Sequence, residues 1–130
     1  MANELNHIIV HCKDRRESAA FVSELLGCAP PVDVHHFTQL KTSNGVDIDF
    51  ADFAVKPEDL NGSHLAFLIS EEEFDATYAR ITERGLQHWA DPYRTTEGIN
   101  RNDGGRGVYV WDPGGTIAVE FITRPYGSGS

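Results

Sequence analysis

The chain repeats itself, and the repeat constrains what it can fold into. Leu5-Asn6-His7-Ile8-Ile9-Val10-His11 aligns with Gly62-Ser63-His64-Leu65-Ala66-Phe67-Leu68 at an offset of 57, which brings His7 onto His64. Both segments are short and rich in β-branched or aromatic residues, so both read as strands. A helix start follows each. Asp14 with Glu17, and Ser70 with Glu73, have the spacing of an N-cap and its capping-box partner. Phe21, Val22, Leu25 and Leu26 form one apolar stripe and Phe74, Tyr78 and Ile81 another, and Phe21 plus 57 falls on Tyr78. Gly27 and Gly85 then stand where a helix end takes a left-handed residue.

The closing strands match at a larger step. Ile48-Asp49-Phe50 resembles Val119-Glu120-Phe121 at an offset of 71, so the second copy holds fourteen further residues. The expected place for them is 91–107, rich in Gly, Asn, Thr and Arg, and long connections of this kind are often functional lids. The order predicted is β-α-β-β-β twice, an α+β fold. Strands are expected near 5–11, 32–35, 36–42, 45–52, 63–69, 87–90, 107–111 and 116–123. Residues 1–126 form one domain, with modules at about 4–53 and 62–124, and 127–130 is a flexible tail.

Alternation along the strands assigns the chemistry to one face. His7 shares a face with Leu5, Ile9 and His11, while Ile8 and Val10 turn toward the helices. His64 lies with Ala66 and Leu68, opposite Leu65 and Phe67. In the closing strands Ile48 and Phe50 oppose Asp47 and Asp49, and Val119 and Phe121 oppose Glu120. A carboxylate among apolar neighbours is costly unless it is paired, solvated or bound to metal. Two sheets curved around the polar faces would make a cup. His7, His64 and Glu120 are then candidates for two imidazoles and a carboxylate on a divalent ion, with Asp49 a possible fourth ligand. That donor set serves non-haem iron and catalytic zinc.

A formal charge of −9 disfavours nucleic acid as a partner, since phosphates demand a basic face. No apolar run is long enough to span a bilayer, and the first residues lack a secretory pattern, so a cytoplasmic location is expected. Cys12 and Cys28 form no CxxC pair and read as reduced thiols.

Together these residues resemble the vicinal oxygen chelate superfamily, which includes glyoxalase I, fosfomycin-resistance transferases, extradiol dioxygenases, methylmalonyl-CoA epimerase and bleomycin-resistance proteins. The resemblance rests on His7, His64 and Glu120 and on Gly107-Val108-Tyr109-Val110-Trp111-Asp112-Pro113-Gly114-Gly115 before the last strand, and runs from Glu4 to about Arg124. It implies two βαβββ modules forming a cup-shaped, partly open sheet with flanking helices. It also implies a metal (Fe, Mn, Ni or Zn) on those three residues, a small substrate chelating it through neighbouring oxygens, and a homodimer. Glyoxalase I places a glutamate where this chain has Asp49.

Glu120 and His11 are the candidate proton carriers. Arg94, Arg101 and Arg106, in or beside the inserted loop, are possible clamps for a substrate carboxylate or phosphate. Tyr109 and Trp111 share a strand face and are possible cup residues. His35, His36 and His88 are further possible acids or bases. The expected function is a metal-dependent enzyme of the lyase, isomerase or dioxygenase class, the ion acting as Lewis acid on a small oxygenated substrate. The alternative is a metal-free protein that sequesters a drug or metabolite, similar to bleomycin-resistance proteins.

Overall fold

Each helix begins where the sequence puts an oxygen-bearing side chain ahead of an apolar stripe. In the computed structural model, which describes residues 2–129, Asp14 accepts from the Glu17 amide to start α1 (Arg15–Leu26). Ser70 and Glu73 cap each other reciprocally to start α2 (Glu71–Glu83). Such caps satisfy amides that would otherwise lack a partner at a helix N-terminus. The two ends match as well. Gly27 (φ 68°) donates to Glu24 O and Cys28 to Ser23 O; Gly85 (φ 63°) donates to Thr82 O and Leu86 to Ile81 O. Both are Schellman ends, which need the left-handed residue that glycine supplies.

The chain divides at Ser63/His64 into two compact units. In the first, β1 (His7–His11), β2 (Val32–Val34), β3 (Phe37–Lys41) and β4 (Asp47–Ala51) make a sheet of order β1-β4-β3-β2, with β1 parallel to β4. Its core holds Val10, Phe21, Val22, Leu25, Leu40, Ile48 and Phe50. In the second, β5 (Ser63–Leu68), β6 (Gly107–Trp111) and β7 (Ile117–Ile122) make a sheet of order β5-β7-β6 around Leu65, Phe74, Ile81, Val108, Val110, Ile117 and Phe121. The architecture is α+β, with two helices and two small sheets, and no helix among the described residues is long and apolar enough to cross a membrane.

Three sequence expectations are corrected. Residues 87–90 do not form a strand. Trp89 makes an isolated bridge to Tyr109, and at Ala90 the backbone turns to bond Thr96 O instead, so the ladder stops after one pair. The helix match is displaced by one residue. The buried positions Ser18, Phe21 and Leu25 correspond to Phe74, Thr77 and Ile81 at an offset of 56, so Phe21 matches Thr77 rather than Tyr78. The fourteen further residues do not all precede β6. Gln39 faces Asp49 across β3–β4 and Tyr109 faces Glu120 across β6–β7, so β3 maps onto β6 at an offset of 70 and β4 onto β7 at 71. The last residue of the insertion sits in the turn between β6 and β7.

The connection at 91–107 is folded rather than loose. Asp91 accepts the amides of Tyr93, Thr95 and Thr96 and the Thr95 hydroxyl, and Asn100 and Gly107 exchange backbone bonds. Residues 127–129 have hydrogen-bond partners. Gly127 and Gly129 donate their amides to Asp103 at 3.1 and 2.9 Å. Ser130, the end of the expected tail, lies outside the described residues.

Candidate active site

Glu120 sits in the middle strand of the second sheet, between Val119 and Phe121, whose side chains fill the core on the other face. The residue is 6% exposed, so its carboxyl requires polar partners at hand. Two are present. His64 on β5 places Nε2 2.8 Å from Glu120 Oε1, and Tyr109 stands directly opposite on β6. Burial, then the hydrogen bond to Glu120 and its charge, push the Tyr109 phenol well above its ordinary pKa. Tyr109 therefore stays protonated, its phenol facing the carboxylate. The His64 and Tyr109 rings are tilted together with centroids 5.7 Å apart. Glu120 is thus met by the His64 imidazole from β5 and faced by the Tyr109 phenol from β6.

The corresponding residues of the first unit are arranged differently. His7 places Nδ1 2.7 Å from Asn6 Oδ1, and the Asp49 carboxylate accepts from Gln39 Nε2 at 3.0 Å. With Nδ1 donating to Asn6, the tautomer of His7 leaves the Nε2 lone pair free on an exposed side chain, the form in which histidine binds metal. Asp49 is spent on an amide. His11, at the end of β1, is half-buried, and its Nδ1 is buried with no hydrogen-bond partner among the described residues.

Two donors about 2.1 Å from one ion and at right angles to each other stand about 3.0 Å apart. The His64–Glu120 separation of 2.8 Å fits that requirement, and an imidazole with a carboxylate is a donor pair suited to iron, manganese, nickel or zinc. Among the described residues no group of three or more His, Cys, Asp or Glu side chains is gathered as a metal site. The pair lies in the second unit and His7 in the first.

The three loop arginines have separate fates. Arg106 donates to Glu71 Oε1 at 2.7 Å and to Glu71 O, pairs with Asp75, and lies over the Phe74 ring. Arg94, in a left-handed conformation (φ 59°), stacks on Trp111 at 4.2 Å and with Leu86, Gln87 and Trp89 lines a cleft of about 240 Å³. Arg101 is exposed at the start of the short turn Asn102–Gly104. His88 is bonded to the Tyr78 hydroxyl and to Leu86 O, and His35 and His36 form the β2–β3 turn. A cleft of about 460 Å³ beside His88, Glu97 and Gly98 is roomier than the space at Glu120 but includes neither His64 nor Glu120. Size and chemistry point to different places, and the buried carboxylate with its imidazole is the stronger mark of a reacting site.

Sequence reasoning overlooked Arg124 and Tyr126, which line a small cavity together with Tyr109 and Glu120. Both follow the last strand, in a segment that carries no periodicity to signal a role.

Residues 4–121 match the family model of the Glyoxalase/Bleomycin resistance protein/Dioxygenase superfamily. Among solved structures, the chain is similar to oxidase ChaP-H1, with 48% identity, 97% of this chain and 99% of that chain covered and a TM-score of 0.89. It is similar to oxidase ChaP-H2 at 44% identity, with all of both chains covered and a TM-score of 0.90. Among curated proteins it resembles glutathione transferase FosA of Serratia marcescens, 26% identical over 118 residues, covering 88% of this chain and 77% of the relative.

Proposed function

The chain belongs to the glyoxalase/bleomycin resistance protein/dioxygenase superfamily, and we propose that it is a metal-dependent enzyme acting on a small oxygenated substrate, with His7, His64 and Glu120 as the ligands of a divalent ion. The observation that carries this reading is the pairing of His64 Nε2 with the buried Glu120 carboxylate at 2.8 Å. The names of the two similar oxidases favour oxidative chemistry over isomerisation. When bound, the ion supplies Lewis acidity toward neighbouring substrate oxygens.

The chain's own residues do the rest. Tyr109 keeps its proton and faces Glu120 across the ladder, a donor set beside the carboxylate. Asn6 holds His7 in the tautomer with Nε2 free. His11 has an unspent ring nitrogen, able to accept or return a proton on the substrate. Trp111 and Arg94, stacked together in a separate cleft, are candidate contacts for the substrate body. The Asp49 carboxylate accepts one hydrogen bond, from Gln39, and we assign it no ligand role.

The protein works in the cytoplasm as a homodimer. Cys12 and Cys28 form no disulfide among the described residues, in keeping with a reducing compartment. Both β1 and β5 end their sheets and carry exposed apolar residues, Ile9 and Leu68, of the kind a second copy would cover.

The test is elemental analysis of protein purified without chelator. Reconstitution with Fe(II), Mn(II), Ni(II) and Zn(II) follows, with oxygen uptake and substrate turnover measured for each. Stoichiometric binding that disappears in His64→Ala and Glu120→Ala supports the reading. If the wild-type chain takes up no divalent ion, the enzyme reading fails and the metal-free binding protein takes its place.

A further inference from the structure

Arg124 leaves β7 two residues past its end and reaches the cavity that Glu120 and Tyr109 line. That cavity holds about 20 Å³, room for one water or one ligand oxygen. Recognition of anything larger falls to its rim, where Asp103, Arg106, Ile122, Arg124 and Tyr126 stand, the Asp103 oxygens being taken by the Gly127 and Gly129 amides.

The rim arginines differ in what they are free to do. Arg106 is occupied by Glu71 and Asp75. Arg124 is exposed, and among the described residues it makes no ion pair. In a chain of net charge −9, an arginine without a carboxylate partner beside a carboxylate-lined cavity is unusual, because acidic side chains are plentiful.

Its position is also fixed from both sides. A Cβ at Gly105 would stand 2.6 Å from Arg124 Cγ and 2.5 Å from Thr123 Oγ1, so only glycine leaves room for the stem. Downstream, the Gly127 and Gly129 amides are tied to Asp103. The stem of Arg124 therefore rises from a confined backbone beside the cavity, and its guanidinium makes no ion pair among the described residues. A planar fork of donors in that state matches a pair of anionic oxygens.

We propose that Arg124 is the anion contact of the Glu120 site, binding a carboxylate or phosphate group of the substrate by paired hydrogen bonds. The inference rests on the reading of Glu120 as part of the reacting site and adds to it a substrate class, one with a negatively charged oxygen group.

The test is calorimetric titration of wild type, Arg124→Gln, Arg124→Lys and Lys56→Gln. Lys56→Gln removes the same charge from the first unit. Inorganic phosphate is titrated into metal-free protein, and oxalate and neutral catechol into Mn(II)-loaded protein. The expected result is at least about tenfold weaker binding of both anions in Arg124→Gln. Arg124→Lys should be intermediate, Lys56→Gln within twofold of wild type, and catechol unchanged throughout. Anion affinities in Arg124→Gln that match wild type, or fall no further than in Lys56→Gln, would overturn the proposal. So would wild-type protein that binds neither anion. If Mn(II) itself does not bind, the metal reading fails separately, and the phosphate titration alone decides the role of Arg124.

Discussion

Tyr109 faces Glu120 directly across the β6–β7 ladder, in the position that Gln39 holds toward Asp49 across β3–β4. The two hairpins thus set different donors against their carboxylates. A phenol and an imidazole converge on Glu120, and an amide alone meets Asp49. From this difference the behaviour of the two carboxylates can be told apart.

Glu120→Gln keeps the shape of the side chain and removes its charge. Affinity for Zn(II) or Mn(II), measured by chelator competition, is expected to fall at least about 100-fold. The metal-free protein should melt within a few degrees of wild type, since an amide in that site can still bond His64 and Tyr109. Metal affinity equal to wild type would remove Glu120 from the ligand set.

Asp49→Asn is the contrasting case. Its carboxylate already accepts from Gln39, so metal affinity in the same assay should stay within about twofold of wild type. A loss comparable to that of Glu120→Gln would restore Asp49 as a fourth ligand.

Tyr109→Phe removes the phenol donor and leaves the ring. Metal affinity should drop about tenfold, the scale of losing a group that orients a ligand, and urea unfolding should show a loss of about 1–2 kcal/mol. An unchanged metal affinity would mean that Tyr109 only fills space.

Arg106→Met replaces a guanidinium held by Glu71, Asp75 and the Phe74 ring. Both carboxylates are exposed, so their share is small, and most of the cost comes from lost contact with Phe74. Destabilisation of about 1 kcal/mol is expected by urea unfolding. Anion binding should change less than in Arg124→Gln.

Asp91 makes the loop after α2 sensitive to acid. Partial burial works against its charge, yet the Thr95 hydroxyl and the amides of Thr96, Thr95 and Tyr93 hold its pKa below the usual carboxylate value. With the folded pKa depressed, the stabilisation is complete above about pH 4 and is lost as pH falls through the folded value. Fluorescence of Trp89, which bridges to Glu97 of this loop, should change below about pH 4 in wild type. In Asp91→Asn that step should be absent.

Much of this was legible in the sequence, and what was missed has physical causes. Caps declare themselves, because Asp14 and Ser70 are oxygen acceptors placed three residues before a glutamate, and Gly27 and Gly85 take a conformation other residues resist. Alternation assigned the faces of His7, His64, Asp49 and Glu120. It could not name the partner across a ladder, because turn length sets register, and one residue in the turn after Trp111 made Tyr109 the neighbour of Glu120. Nor could it foresee that the Trp89 segment would bond its own loop after a single pair. Arginine spacing gave no hint that Arg106 is committed to α2 while Arg124 is not.

The extra turn residue between β6 and β7 lies outside the ladder, so the strand faces on either side of it keep their parity. A hairpin can therefore be lengthened by one residue without exposing its core. The two halves then set their carboxylates in different company, Asp49 against Gln39 and Glu120 against His64 and Tyr109. Directed evolution should therefore find different tolerances in two segments that share one plan. Permissive change is expected around Asp49, and sharp loss around Glu120.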